Sequence, residues 1–198
     1  MYHHSPNLVL GFHGCTKKVF KKILFHHEEL EFSNNSYDWL GNGIYFWENS
    51  YDRAMDWAKG HCKDEEPAVI GTVLDLGFCL DLMDYASMQV LKNGYDLLKE
   101  ESRIFNTELP VNRNIGKNTD LLIRELDCAV IERIHLYNHM VDGNDEYDSV
   151  RGAFIEGKPV YPGSGFRNRT HIQICVRNPN CIKGYFAPKI ENENYSSV

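Results

Sequence analysis

Val69-Ile70-Gly71-Thr72-Val73-Leu74-Asp75-Leu76 is rich in β-branched residues, which suit a pleated, buried surface, and it reads as a core strand. Other short runs supply its neighbours. Leu8-Val9-Leu10-Gly11-Phe12-His13-Gly14 is apolar, ends in glycine, and reads as a strand and turn. Gly41-Asn42-Gly43 is a turn that delivers the short aromatic strand Ile44-Tyr45-Phe46-Trp47. Residues 148–156, 170–176 and 182–186 read as further strands, the second by its alternation. Helical periods lie between them. Residues 16–25 carry Val19, Phe20, Ile23 and Leu24. A helix capped by Asn49 or Ser50 sets Tyr51, Ala54, Met55 and Ala58 on one face. Residues 84–103 read as a helix broken near Asn93-Gly94, and 121–140 as a long helix with Leu122, Leu126, Ala129, Val130, Arg133 and Ile134 at helical spacing. Residues 33–38, 106–119 and 157–169 have loop composition. Helices and strands do not alternate as in βαβ units, so the expected class is α+β.

The chain has 198 residues, 42% of them hydrophobic and 12% aromatic, which suits one globular core and argues against disorder. The expectation is a single domain over residues 1–190 followed by a polar, frayed tail, 191–198. No run of eighteen apolar residues is written here, and Met1-Tyr2-His3-His4-Ser5-Pro6 lacks the pattern of a secretory signal. The expected location is the cytoplasm, with no membrane partner. A net charge of −7 argues against a generic nucleic-acid binder, though not against an enzyme with a local basic groove. None of the six cysteines forms a C-x-x-C pair, so reduced thiols are expected. Adjacent His3-His4 and His26-His27 point apart, and no metal is expected. Gly41-x-Gly43 lacks a third glycine, no P-loop or H-E-x-x-H is present, and Gly163-Ser164-Gly165 has the wrong spacing for a nucleophile elbow.

Three segments remain: Gly11-Phe12-His13-Gly14, then Leu40-Gly41-Asn42-Gly43-Ile44-Tyr45-Phe46 with a helix behind it, and Ile172-Gln173-Ile174 after a long loop. In this order and spacing they resemble the ADP-ribosyltransferase superfamily, in its poly(ADP-ribose) polymerase and diphtheria-toxin branch. The resemblance covers roughly residues 8–60 and 148–187. It implies a split mixed β-sheet core surrounded by helices. It also implies transfer of a single ADP-ribose from NAD to a macromolecular acceptor, with release of nicotinamide and no metal. Carried over by position, Gly14 would hold the nicotinamide amide through its backbone and His13 the adenosine-side ribose. Tyr45 would stack on the nicotinamide ring, with Trp57 as a second aromatic wall.

The third position departs from the pattern, because Gln173 stands where the family has glutamate. Glutamine still hydrogen-bonds a ribose hydroxyl but is no base. Glu156, just before the long loop, is the rival that would activate the acceptor. Arg151 would face the NAD pyrophosphate or pair with Glu156. The loop carries Lys158, Arg167 and Arg169 and no acid, which favours a nucleic-acid acceptor, a protein being the alternative. The closest functional likeness is to small bacterial toxins of toxin–antitoxin or phage-defence systems, which implies an antitoxin partner. Two other readings are a non-catalytic NAD-binding module and an RNA 2′-phosphotransferase-like enzyme.

Overall fold

The structure is a computed structural model that describes residues 8–116, 120–189 and 194; the tail assigned to 191–198 lies almost wholly outside them. In chain order the elements are β1 (Val9–Thr16), α1 (Lys17–His26), β2 (Ile44–Glu48), α2 (Tyr51–His61), β3 (Pro67–Leu74), β4 (Cys79–Asp81) and α3 (Tyr85–Phe105). There follow β5 (Asn112–Arg113), β6 (Ile123–Arg124), α4 (Glu125–Met140), β7 (Ser149–Phe154), β8 (His171–Val176), a 3₁₀ turn (Pro179–Cys181) and β9 (Ile182–Phe186). Seven strands form one sheet in the order β4-β7-β8-β2-β1-β3-β9, and β5 pairs only with β6. The sheet is mixed: β4 runs parallel to β7, and the other neighbours are antiparallel. The fold is therefore α+β, with four helices around a seven-stranded sheet among the described residues.

Alternation along the strands builds two layers of core. Cys15, Ile44, Phe46, Ile70, Leu74, Ile174 and Val176 face α1, where Ile23 is buried among them. On the opposite face Leu80, Val150, Phe154 and Cys175 meet Val130, Ile131 and Ile134 of α4, with α3 packed outside. Trp47 and Val69 on that same face meet Ala54 of α2. Residues 68–72 of β3 are buried at consecutive positions, as expected for a strand covered on both sides.

Three expectations need correction. Gly14 is no turn: β1 runs on through Thr16, whose hydroxyl accepts from the Val19 N–H to cap α1. Helix α3 does not break at Asn93-Gly94; Gly94 is buried where Ile134 of α4 crosses it, so the glycine serves helix contact. Helix α4 starts at Glu125, because Ile123 and Arg124 pair with the Asn112–Arg113 strand. Arg124 caps nothing, and Asn112 Oδ1 instead accepts from the N–H groups of Leu126 and Asp127. No helix among the described residues is long and apolar enough to cross a membrane.

One irregularity positions the site. β1 pairs with β3 along its whole length, but with β2 only at Gly11↔Glu48 and Phe12↔Trp47. Beyond that point β1 and β2 part. The imidazole of His13 reaches across, its Nδ1–H donating to the Tyr45 carbonyl at 2.8 Å.

Candidate functional site

The seam between β1 and β2 brings the expected segments together. β8 follows β2 directly in the sheet, with Trp47 opposite Gln173 and Tyr45 opposite Cys175. Gly14, Tyr45, Trp47 and Gln173 thus share one face, and His13 turns the other way, towards Phe46. Burial lowers the His13 pKa, so the ring is neutral near pH 7. A carbonyl can only accept, so the proton sits on Nδ1 and Nε2 is the acceptor.

Gly14 is required by close approach. A Cβ there would collide with the Ala54 carbonyl of α2 and lie 3.2 Å from Trp57 Cε3. The Trp57 indole stacks on His61 at 4.1 Å and tilts toward Trp47 at 5.7 Å. Tyr45 is half-buried. Its hydroxyl donates to the Gly41 carbonyl at 2.6 Å and accepts from the Leu40 N–H at 2.9 Å, while its ring packs into the α4-side core. Burial pushes its phenol far above the usual range. Tyr45 therefore pins the glycine turn as well as contributing a ring to the shared face.

Glu156 is buried beside this face. Arg53 Nη2, from α2, donates to its Oε2 at 3.2 Å, and His171 Nδ1 lies 3.6 Å from the same oxygen. Burial raises the Glu156 pKa against the pull of Arg53. His171 Nδ1–H donates to the Arg169 carbonyl at 2.7 Å, and burial holds the ring's pKa down at about 4, so it is neutral. Sequence reasoning missed Trp47, Arg53 and His171. His171 had a signal, since it lies two residues before Gln173 on one strand and so on the same face. Arg53 had none, because its site is completed by Glu156, 103 residues away.

Arg151 does not do what was expected. It projects on the other face, where Nε and Nη2 donate to the two oxygens of Glu48 at 2.6 and 2.9 Å and Nη1 to Asp81 at 3.0 Å. Its guanidinium fork is filled by carboxylates from β2 and β4; it pairs with neither Glu156 nor a free phosphate position. In the 157–169 loop, Arg167 Nη1 donates to the Gly157 carbonyl at 3.1 Å, Arg169 pairs with Asp56 at 3.3 Å, and Lys158 is exposed. Val160, Tyr161 and Phe166 of the same loop are exposed apolar residues. Among the described residues no group of three or more His, Cys, Asp or Glu is placed to hold a metal ion.

A protein of Methanocaldococcus jannaschii described as uncharacterized is 26% identical over 200 aligned positions, spanning 87% of this chain and 83% of that protein. No protein-family model and no solved structure matches the chain.

Proposed function

We propose that the chain is an NAD-dependent ADP-ribosyltransferase that moves one ADP-ribose to a macromolecular acceptor and releases nicotinamide. One observation carries this reading. His13-Gly14, Gly43-Ile44-Tyr45-Phe46 and Gln173 lie on strands far apart in sequence, and these are three consecutive strands of the sheet, β1, β2 and β8. The end of β1–β2 pairing before Gly14 and Tyr45 supports entry of an extended dinucleotide there.

In this reading Gly14 offers backbone groups to the nicotinamide amide, and His13 Nε2 accepts from a ribose hydroxyl. Gln173 orients the ribose 2′-hydroxyl, and Tyr45 fixes the glycine turn and supplies an aromatic edge. The C1′–N bond loosens toward an oxocarbenium-like state, which fixed dipoles along β8 stabilise without reorganisation. Glu156 stands on the acceptor side, next to the loop that bears Lys158, Arg167 and Arg169.

The test is nicotinamide release from NAD, followed by labelled NAD with cell extract treated separately with protease and nucleases. Release by the intact protein, with loss in Gln173→Ala, supports transfer. A second reading, a non-catalytic NAD-binding module, is favoured by Gln173 in place of an acid and by the Trp57 indole resting against Gly14. NAD binding by calorimetry without nicotinamide release would select it.

A further inference from the structure

We infer that the cleft enclosed by α3, α4 and β7 binds a small apolar molecule that carries one anionic group. The inference stands apart from the transferase reading and does not need it. The cleft has a volume of about 690 Å³. That is within the range of small-molecule sites, which are mostly apolar with a few placed polar groups. Its walls follow from the periods of the elements around it. Met88, Leu91 and Tyr95 recur three and four residues apart on α3, and Leu126 and Val130 four apart on α4, so each set lines one helix face. β7 supplies Gly152 and Phe154, and Trp39 and Leu40 complete the wall just ahead of the glycine turn. Met83 and Met88, both in the wall, are 52% and 46% exposed. Methionine is unbranched and polarizable, so such a rim adapts to the shape of a ligand.

Charge selects the second half of the ligand. Three charged side chains line the cleft, Lys92, Arg124 and Asp127. Asp127 is met on both oxygens, by Asn112 Nδ2 at 2.7 Å and by Arg124 Nη1 at 3.5 Å. Lys92 pairs with Asp96 one exposed turn away, a kind of pair that exchanges partners at little cost. Arg124 is the fixed cation. Its guanidinium carbon lies 4.1 Å from the Trp39 ring centre and 5.3 Å from that of Phe154, and both rings belong to the cleft. Its Nε donates to the Leu121 carbonyl at 3.0 Å. Nη1 and Nη2 reach Asp127 and the Asp120 carbonyl only at 3.5 Å, where a hydrogen bond is weak. A guanidinium has five N–H groups, so Arg124 keeps donors for an incoming anion. Two cations against one carboxylate that is already engaged favour an anion over a cation.

The cleft and the β1–β2 seam are separate places. His13, Gly14, Tyr45 and Gln173 take no part in the cleft wall. Two strands, β8 and β2, lie between β7 and the seam. At about 4.8 Å per strand that is roughly 12 Å of sheet. A dinucleotide at the seam and an apolar anion in the cleft are therefore two ligands with two sets of contacts.

The experiment titrates the intact protein by calorimetry with dodecanoate and 1-naphthoate, each set against its neutral counterpart, dodecanol and 1-naphthylmethanol. The expected result is that at least one acid binds, one molecule per chain, and more tightly than its alcohol. Arg124→Gln should weaken that acid about 10–100-fold and leave the alcohol unchanged. Met88→Trp, which fills the cleft from its exposed rim, should abolish binding while near-ultraviolet circular dichroism and Tm show the fold kept. The Met88 methyl and Trp39 indole N–H resonances should shift when the acid is added, and saturating NAD should leave its affinity unchanged. No binding of either acid by the intact protein overturns the inference. So do an alcohol that binds as tightly as its acid, an Arg124→Gln protein with undiminished affinity, and a folded Met88→Trp protein that still binds. Displacement of the acid by NAD also overturns it, because the cleft would then belong to the dinucleotide site. None of these outcomes decides nicotinamide release, which tests the transferase reading by itself.

Discussion

Tyr45 joins two roles that a substitution can separate. Its hydroxyl makes two hydrogen bonds to the Leu40–Gly41 backbone, and its ring fills core. Tyr45→Ala would therefore empty core as well as site, by about 3–5 kcal/mol for a large aromatic. Tyr45→Phe keeps the ring and leaves the Leu40 N–H and the Gly41 carbonyl short of a partner, at about 1–3 kcal/mol. The expected outcome is a lower urea midpoint with nicotinamide release retained; loss of release in a folded Tyr45→Phe protein would assign the hydroxyl to the reaction. The buried histidines give a pH signature. His135 and His171 are both held at about 4 by burial, below the ordinary 6.5. Between those values the unfolded chain binds protons that the native state refuses, so stability rises with pH and is lost as pH falls from 6.5 toward 4. Each group contributes on the order of 3 kcal/mol across that window at about 1.36 kcal/mol per pH unit. Glu156 acts with the opposite sign, because its native pKa is raised, so its contribution fades as pH rises through that value. Urea midpoints at pH 7, 5.5 and 4.5 should fall toward acid, and His135→Gln should flatten the slope; an equal slope in the variant would remove His135 as a source. The candidate site was partly legible at this scale, in that the structure brings the segments read from the sequence onto neighbouring strands. His13, Gly14, Tyr45 and Gln173 sit in short, ordered patterns. Arg53 and the partners of Arg151 were not legible, because pairs separated by 70 or 103 residues leave no local trace.

Helix α3 shows how packing overrides propensity. In an exposed helix Ala is worth about 1 kcal/mol over Gly, so Gly94→Ala looks stabilising on its own sequence. Its Cβ would stand 2.5 Å from Ile134 Cγ1, inside contact distance, so α3 and α4 must separate. The expected result is destabilisation by about 1–3 kcal/mol, and on an Ile134→Ala background, itself destabilised by about 2–5 kcal/mol, Gly94→Ala should cost little or nothing because the contested space is empty. Calorimetric Tm values for the single and double variants check this; a stabilised single variant would show that the helices yield freely. The same contact explains why a break was expected at Asn93-Gly94: a glycine that serves a neighbouring helix and a glycine that ends its own look alike in one sequence. Strands β1, β2, β3, β7, β8 and β9 and helix α1 were legible because their apolar periods are short and the helix cap, Thr16, is local, whereas the two- and three-residue strands β4, β5 and β6 carry no period to read. The start of α4 was not, since the cap comes from Asn112 across a loop.

At the scale of the molecule, the sheet is two halves joined at the β1–β2 seam. β4, β7, β8 and β2 form one half and β1, β3 and β9 the other. Two ladder pairs and the His13–Tyr45 bond join them at the backbone, while the α1-side core crosses the seam, setting Ile44, Phe46 and Ile174 against Cys15, Ile70 and Leu74. A core shared in this way makes unfolding cooperative, so the seam should open locally without releasing either half. His13→Phe tests this, because it keeps a ring beside Phe46 and removes the bridge to the Tyr45 carbonyl. One lost hydrogen bond of about 1 kcal/mol corresponds to roughly a fivefold faster local opening. Amides of residues 14–16 and 44–46 should therefore exchange several times faster in the variant, while those of residues 69–73 in β3, which report global unfolding, keep their rates. NAD added to the intact protein should slow the same seam amides and leave β3 unchanged. A uniform acceleration across all strands would mean that His13 holds up the whole core, and the seam would then be a feature of static geometry with no separate motion through which a dinucleotide could enter.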